Sequence, residues 1–361
     1  MGAAGIDLRF LLDMLKLWYS NGCANLPPES GIALHLQIFG GDGLAVGWHE
    51  GDAHPTILAF CASVRCRKNI VVLKPRRQGA DIVPHHRMVE RRPCRRTKRN
   101  PRMFIDLADM LVHCVVEGPD TAPPLLLLHS IGTTQNIWDA QAQALAGRFR
   151  VIRPDLRGHG LSSVTPGDYT MRQLAGDALA LLDALGIEKA HVAGTSIGGR
   201  IAQQVAVEAP ERVLSLCLLN TALEFPSPAI WQVRIDEVRR DGTQVLADAV
   251  MPRWVVDTAL PSSRGLRWML LRTDKTGYAG AACALRDATA ADVAGRIQPP
   301  CTVIAGERDP AAPAEAVAAL QAAIPGAELV VLPGAGHITT YEFADAVTAQ
   351  MLAHFDRLGI G

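Results

Sequence analysis

Seven short apolar runs, MLVHCVVE, PLLLLHS, FRVIRPD, AHVAGTS, VLSLCLLN, CTVIAGE and AELVVLP, recur between residues 110 and 333, separated by stretches that include clear helical patterns. Most carry their apolar residues side by side rather than at every second position. A strand that alternates buries one face, whereas a continuously apolar strand must bury both, as in a mostly parallel sheet flanked by helices. The intervening text agrees. From Thr170 to Gly186, Leu174, Ala178, Leu181, Leu182 and Leu185 fall on one helical face, Thr170 with Gln173 makes a capping box, and Gly186 suits a left-handed end. Strand and helix in repetition predict an α/β fold of the doubly wound kind.

Two regions break this rhythm. Between about residues 225 and 290, WQVRIDEVRRDGTQVLADAVMPRWVV and RGLRWMLLRT read as amphipathic helices, and an insertion of that size predicts a helical cap over the carboxyl ends of the strands. Residues 1–102 carry 16 Lys and Arg against 8 Asp and Glu, so this segment is +8 and residues 103–361 are −8, although the 361-residue chain is neutral overall. Fourteen of those basic residues crowd into positions 65–102, ending in RRPCRRTKRNPR. Such a run repels itself, and it predicts a basic, poorly ordered or mis-assigned extension upstream of the α/β domain at 103–361. Nothing aromatic is interleaved with it, so no nucleic-acid partner is expected. FLLDMLKLWY is too short and too charged to span a membrane and lacks the features of a secretory signal. The eight cysteines include no C-x-x-C pair, which suits a reducing cytoplasm. His85, His86 and Cys94 match no structural zinc spacing, so no metal and no cofactor are expected.

AHVAGTSIGGR carries the strongest chemical signal. Gly194, Ser196 and Gly198 form G-x-S-x-G directly after an apolar strand and before a helix, the setting of a nucleophile elbow. The turn is tight enough to require glycine on either side, and it lifts the serine oxygen to a helix N-terminus, where backbone N–H groups favour developing negative charge. A serine hydroxyl needs a base to take its proton. Where serine is presented this way the acid and the histidine follow it in that order. Asp309, in ERDP after CTVIAG, and His337, in GAGHI after AELVVLP, satisfy the order, each in the loop that ends its own strand. Two N–H donors complete the arrangement: Ile197, next after the nucleophile, and Ile131, in the loop that follows PLLLLHS. His129 precedes the nucleophile and is read as orienting that loop. In DLRGHGLSS, Asp155 and Arg157 are expected to form a structural ion pair that supports it.

Taken together, HSIGT, DLRGHGLS, GTSIGG, GERDP and GH resemble the α/β-hydrolase superfamily. Within it, RGHGLSSVTPGDYTMRQLAGDALALLDALGIEKAHVAG, WQVRIDEVRRDG, MPRWVV and TDKTGYAGAACALRDA resemble 3-oxoadipate enol-lactonases, over about Met103 to Leu358. SIGG stands where SMGG is commoner, and residues 1–102 resemble no part of that family. The resemblance implies an α/β-hydrolase fold, and a cytoplasmic serine hydrolase that opens the enol-lactone of 3-oxoadipate in aromatic-compound degradation. Other activities of the superfamily (carboxylesterase, carbon–carbon bond hydrolase, perhydrolase) and a non-catalytic ligand-binding protein of the same fold remain the alternatives. Such a lactone carries a carboxylate, so an acidic domain must supply a local cation. Arg234 and Arg253, with Trp231 and Trp254 near them in sequence, are the candidates, and Trp138 is placed at the pocket rim. The expected partner is a small lactone or ester, with no membrane and with self-association allowed.

Overall fold

The structure of the protein is a computed structural model, which describes residues 102–225 and 227–360 together with five short strands between residues 43 and 82. The chain divides into two units, Met1–Arg95 and Arg96–Gly361, a boundary slightly upstream of the expected one. In the first unit, β1 (Gly43–Trp48), β2 (Ile57–Ala62) and β3 (Ile70–Leu73) form an antiparallel sheet, and β4 (Arg77–Gln78) pairs with β5 (Asp81–Ile82). Apart from these strands, the basic extension expected over residues 1–102, with His85, His86 and Cys94, lies outside the described residues.

The second unit is built on one eight-stranded sheet. Its strands are β6 (Arg102–Leu107), β7 (Met110–Glu117), β8 (Pro124–Leu128), β9 (Arg150–Pro154), β10 (Ala190–Thr195), β11 (Val213–Leu219), β12 (Cys301–Gly306) and β13 (Glu328–Leu332). They lie in the order β13-β12-β11-β10-β8-β9-β7-β6, and β8 to β13 run parallel. All seven apolar runs are strands; β10 and β12 are buried along their whole length, and β8 and β11 at all but one residue, as continuous hydrophobicity requires. β13 departs from this: as an edge strand it leaves Val331 51% exposed. The eighth strand, β6, alternates exposed and half-buried residues and pairs antiparallel with β7 at the other edge.

The helices in chain order are α1 (Asp139–Leu145), α2 (Met171–Ala184), α3 (Ile197–Glu208), α4 (Pro228–Asp241), α5 (Ala247–Trp254), α6 (Pro261–Arg272), α7 (Lys275–Asp287), α8 (Ala314–Ala322), α9 (Thr339–Glu342) and α10 (Ala344–Arg357). α2 starts as read from the sequence: Thr170 Oγ accepts from Gln173 N–H, and Gly186 closes the helix end at φ +65°. The segment between β11 and β12 carries α4 to α7, which correspond to the predicted cap, with α4 packed on α7 and α5 on α6. Among the described residues, no helix is long and apolar enough to cross a membrane.

The strand order reverses at β8: β9 lies on one side of it and β10 on the other. In an open parallel sheet the loops at the carboxyl ends of two such strands part, leaving a crevice where side chains and ligands converge. Register fixes the neighbours, for Gly194 of β10 lies opposite Leu128 of β8. The loops that follow these two strands therefore emerge side by side.

Candidate active site

Four adjacent strands end in one cluster of polar residues: β10 in Ser196, β11 in Asn220, β12 in Asp309 and β13 in His337. Ser196 sits at φ 58° and ψ −119°, outside the comfortable range for a residue with a Cβ. The close approach of α3 to β8 enforces it. A Cβ at Gly198 would stand 2.3 Å from the Leu128 carbonyl oxygen, and one at Gly194 would stand 2.2 Å from that of Gly198. Glycine at both positions is thus a steric requirement, and strain of this kind collects at functional turns. Thr221 Oγ donates to the Ser196 carbonyl at 2.8 Å, and Ser196 N–H donates to the Leu219 carbonyl, so the elbow is tied to β11.

His337 and Asp309 form a buried pair, with Nδ1 of the imidazole 2.8 Å from Oδ2 of the carboxylate. Ser196, His337 and Asp309 are 5%, 3% and 6% exposed. Asp309 Oδ1 accepts from the N–H groups of Ala311 and Ala312 at 2.7 and 3.0 Å, while Oδ2 also accepts from Asn220 Nδ2 at 3.0 Å. Burial alone would push this carboxyl upward. The charge and hydrogen bond of His337, with the Ala312 and Asn220 donors, overcome that and hold it below the usual carboxylate range. An ionised Asp309 keeps the proton on Nδ1 and leaves Nε2 without one.

Asn220 was not singled out from the sequence. Its Nδ2 also donates to the Gly336 carbonyl at 3.1 Å, and its Oδ1 accepts from Thr339 Oγ at 2.6 Å. One amide therefore joins the acid to the loop on both sides of His337, and the residue pays for that placement with φ +48°. The only trace in sequence is an asparagine closing VLSLCLLN, where asparagine is common for turns alone.

The loop after β8 is held by two neutral imidazoles. His129 Nδ1 donates to the Ser130 carbonyl and its Nε2 accepts from Leu156 N–H at 2.9 Å, the loop-orienting role read from the sequence. His159 Nε2 accepts from Gly132 N–H at 3.0 Å while its Nδ1 donates to the Arg157 carbonyl. Burial is the main cause that lowers both pKa values, to about 3 for His159, as acceptor roles demand. The hydrogen bonds inside this loop start from Gly132 and Thr133 and do not use Ile131 N–H. Ile131 and Ile197 thus stand where the elbow and the β8 loop meet.

The expected Asp155–Arg157 pair does not form. Asp155 Oδ2 faces His113 Nδ1 at 2.8 Å and accepts from Leu161 N–H, while Oδ1 accepts from Gln135 N–H, each of the two at 2.9 Å. Arg157 turns instead to Asp177 on α2 and Asp109 in the β6–β7 turn. Each buried charge meets more partners there than the other could supply.

Above the site, the cap presses on the loop after β8. A Cβ on Gly132 would stand 2.8 Å from Leu270 Cδ1 and 3.2 Å from both Trp254 Cη2 and Tyr278 Cε2. The Trp254 carbonyl accepts from the N–H groups of His337 and Ile338, at 3.0 and 2.9 Å. The structure also separates the four candidate binding residues. The Arg234 guanidinium lies 4.7 Å from the ring centroid of Trp231 and close enough to the Tyr278 hydroxyl to oppose the upward push that burial gives its pKa. Arg234 has no carboxylate partner among the described residues. Arg253 is exposed and donates to the Pro310 carbonyl, and Trp138 is fully buried in the core. No group of three or more His, Cys, Asp or Glu among the described residues is arranged to hold a metal ion.

Residues 123–249 match the family described as alpha/beta hydrolase fold, and residues 274–357 match one described as TAP-like protein. A 3-oxoadipate enol-lactonase of Acinetobacter baylyi is 34% identical over 206 residues, covering 56% of this chain and 77% of that protein. The pimeloyl-acyl-carrier-protein methyl ester esterase of Nitrosomonas europaea is 28% identical over 258 residues, covering 67% and 98%. Among solved structures, the enol-lactonase from Burkholderia xenovorans superimposes with a TM-score of 0.68 at 35% identity, covering 70% of this chain and all of that one. The chain belongs to the α/β-hydrolase superfamily, among its hydrolases of esters and lactones.

Proposed function

We propose that the protein is a serine hydrolase that opens a carboxylate-bearing enol-lactone of the 3-oxoadipate type through an acyl-enzyme. The observation that carries this reading is the buried His337–Asp309 pair at 2.8 Å, in the strand-end cluster that also holds the strained Ser196 elbow. Ser196 Oγ attacks the lactone carbonyl as His337 Nε2 takes its proton, and Asp309 holds the imidazole in the tautomer that permits this. Ile131 and Ile197 N–H groups receive the oxyanion, each such donor contributing about 3 kcal/mol in comparable sites. Collapse breaks the ring C–O bond, His337 returns the proton to the enol oxygen, and the enol rearranges to a ketone while still tethered. Water then attacks the ester with His337 as base and frees the diacid.

Arg234 is the cation for the substrate carboxylate in this reading. It is half-buried, lies against Trp231 and beside Tyr278, and Tyr278 touches the loop that bears Ile131. Steady-state kinetics on 3-oxoadipate enol-lactone and on p-nitrophenyl acetate test it. A kcat/KM at least about 100-fold higher for the lactone is expected, with Arg234→Ala raising KM for the lactone and leaving the neutral ester unchanged. A preference for the simple ester defeats the lactonase reading. Failure of a phosphonate to add its mass to Ser196 defeats the serine mechanism.

A further inference from the structure

Asp309 orients the His337 imidazole, but the backbone of His337 is held from the other side, by the cap. α5 ends at Trp254, and the last carbonyls of a helix have no partner within it. The Trp254 carbonyl finds two, the N–H groups of His337 and Ile338 at 3.0 and 2.9 Å. The same turn reaches the loop of Asp309, for Arg253 donates to the Pro310 carbonyl at 3.3 Å. The Asp309 and His337 loops thus lean on one helix end, and the position of that end bears on where the imidazole stands.

What holds the helix end in place follows directly after it. At Val255 the chain turns to extended backbone, φ −134° and ψ 154°, so the N–H groups of Val256 and Asp257 leave the helix and need acceptors of their own. Both find the half-buried side chain of Glu342. Its Oε1 accepts from the Val256 N–H at 2.9 Å and from the Asp257 N–H at 3.2 Å, and its Oε2 lies 3.1 Å from the Val256 nitrogen. Glu342 closes α9, and its own N–H donates to the Ile338 carbonyl at 3.2 Å. The contacts make a closed circuit: His337 to Trp254 by a hydrogen bond, Trp254 to Val256 along the chain, Val256 to Glu342 by a hydrogen bond, and Glu342 back to His337 along the chain. Its interior has little room for a side chain, since a Cβ on Gly336 would stand 3.1 Å from the Trp254 carbonyl oxygen and 3.3 Å from Glu342 Oε2.

We propose, on the serine-hydrolase reading, that Glu342 is a positioning residue for His337: it fixes the cap junction from which the histidine's backbone hangs, and so sets how Nε2 meets the Ser196 hydroxyl. A hydrogen bond to a charged acceptor is about twice as strong as one between neutral groups, so a carboxylate suits a joint made of backbone N–H groups alone. Misplacement of a reacting group by about 1 Å can cost about 100-fold in rate, so slackening of the circuit should show in kcat rather than in KM.

Turnover of p-nitrophenyl acetate and the downfield proton spectrum of the full chain test this together. A proton held between an imidazole Nδ1 and a carboxylate resonates far downfield of the amides, and the described residues contain two such pairs, His337–Asp309 and His113–Asp155. His337→Ala identifies the first signal by deleting it. Glu342→Ala should lower kcat by at least about tenfold, with KM within about twofold, and should broaden the His337 signal while that of His113 stays sharp. Glu342→Gln keeps an oxygen for both N–H groups and should restore kcat to within about threefold of the parent, whereas Glu342→Asp, one methylene short, should not. An undiminished kcat with an unchanged His337 signal in Glu342→Ala overturns the assignment. So does loss of both signals at once, since Glu342 then holds up the domain as a whole. Should the parent chain turn over no ester and take up no phosphonate, the serine-hydrolase reading falls by itself, while the broadening or constancy of the His337 signal still decides the role of Glu342.

Discussion

The domain contains two buried histidine–aspartate pairs of the same length, His337–Asp309 and His113–Asp155, each with Nδ1 at 2.8 Å from a carboxylate oxygen. In isolation they are indistinguishable as acid–base dyads. What separates them is where the chain puts them and what else each carboxylate holds. Asp309 and His337 end neighbouring parallel strands, in the same cluster of strand ends as the strained Ser196 turn. His113 lies within β7, a strand antiparallel to β9, and Asp155 spends its remaining capacity on the N–H groups of Gln135 and Leu161. One pair stands among the strand ends beside Ser196, and the other ties loops together.

The sharpest way to break this contrast is to truncate both imidazoles. His337→Ala should lower kcat for ester hydrolysis by about 10⁴-fold with little change in unfolding free energy. His113→Ala should do the reverse: a buried carboxylate loses its partner at a cost of about 3 kcal/mol in urea unfolding, while kcat stays within about tenfold. Equal losses of kcat in the two variants would erase the distinction.

Histidines without a carboxylate partner extend the comparison to pH. His191 and His354 share the hydroxyl of Ser215, at 2.8 and 2.9 Å, and burial is the leading cause that lowers each to about 4. Unfolded imidazoles titrate near 6.5, so between about pH 6.5 and 4 the unfolded chain binds protons that the folded chain refuses. Their contribution is complete above about pH 6.5 and is lost as the pH falls through that window, on the order of 2 kcal/mol for each histidine. Asp309, held below its ordinary range, loses its share only at still lower pH. A urea midpoint that stays flat from pH 7 to 4.5 contradicts this.

Asn220 gives the smallest and most local test. Asn220→Ala removes one of the donors to Asp309 and both ties to the histidine loop, and kcat should fall about tenfold with KM unchanged. An unaltered kcat would mean that the backbone amides of Ala311 and Ala312 position the acid unaided.

The contrast also explains what could be read in the sequence. Seven strands are legible because apolar residues stand side by side in each, as burial on both faces requires, and Ser196, Asp309 and His337 stand out because each closes its own run. β6 is not, since RMFIDL alternates at an exposed edge and adjoins the basic run. Nor is His113, whose role depends on Asp155, 42 positions away. The expected Asp155–Arg157 pair failed for the converse reason: proximity along the chain does not set which way side chains point in a loop that reverses at Gly158 and Gly160. Arg234 and Arg253 are alike as letters, and only the packing of α4 against α7 distinguishes them.

The single carbonyl of Trp254 that receives both His337 and Ile338 has a consequence for how this scaffold can change. The helical insertion is not an interchangeable module, because its backbone is part of what steadies His337. Swapping in the insertion of a relative with another substrate preference would transfer selectivity only if a carbonyl arrives at that same point, so the freedom to diversify is concentrated in α4, α6 and α7 and ends at the last turn of α5.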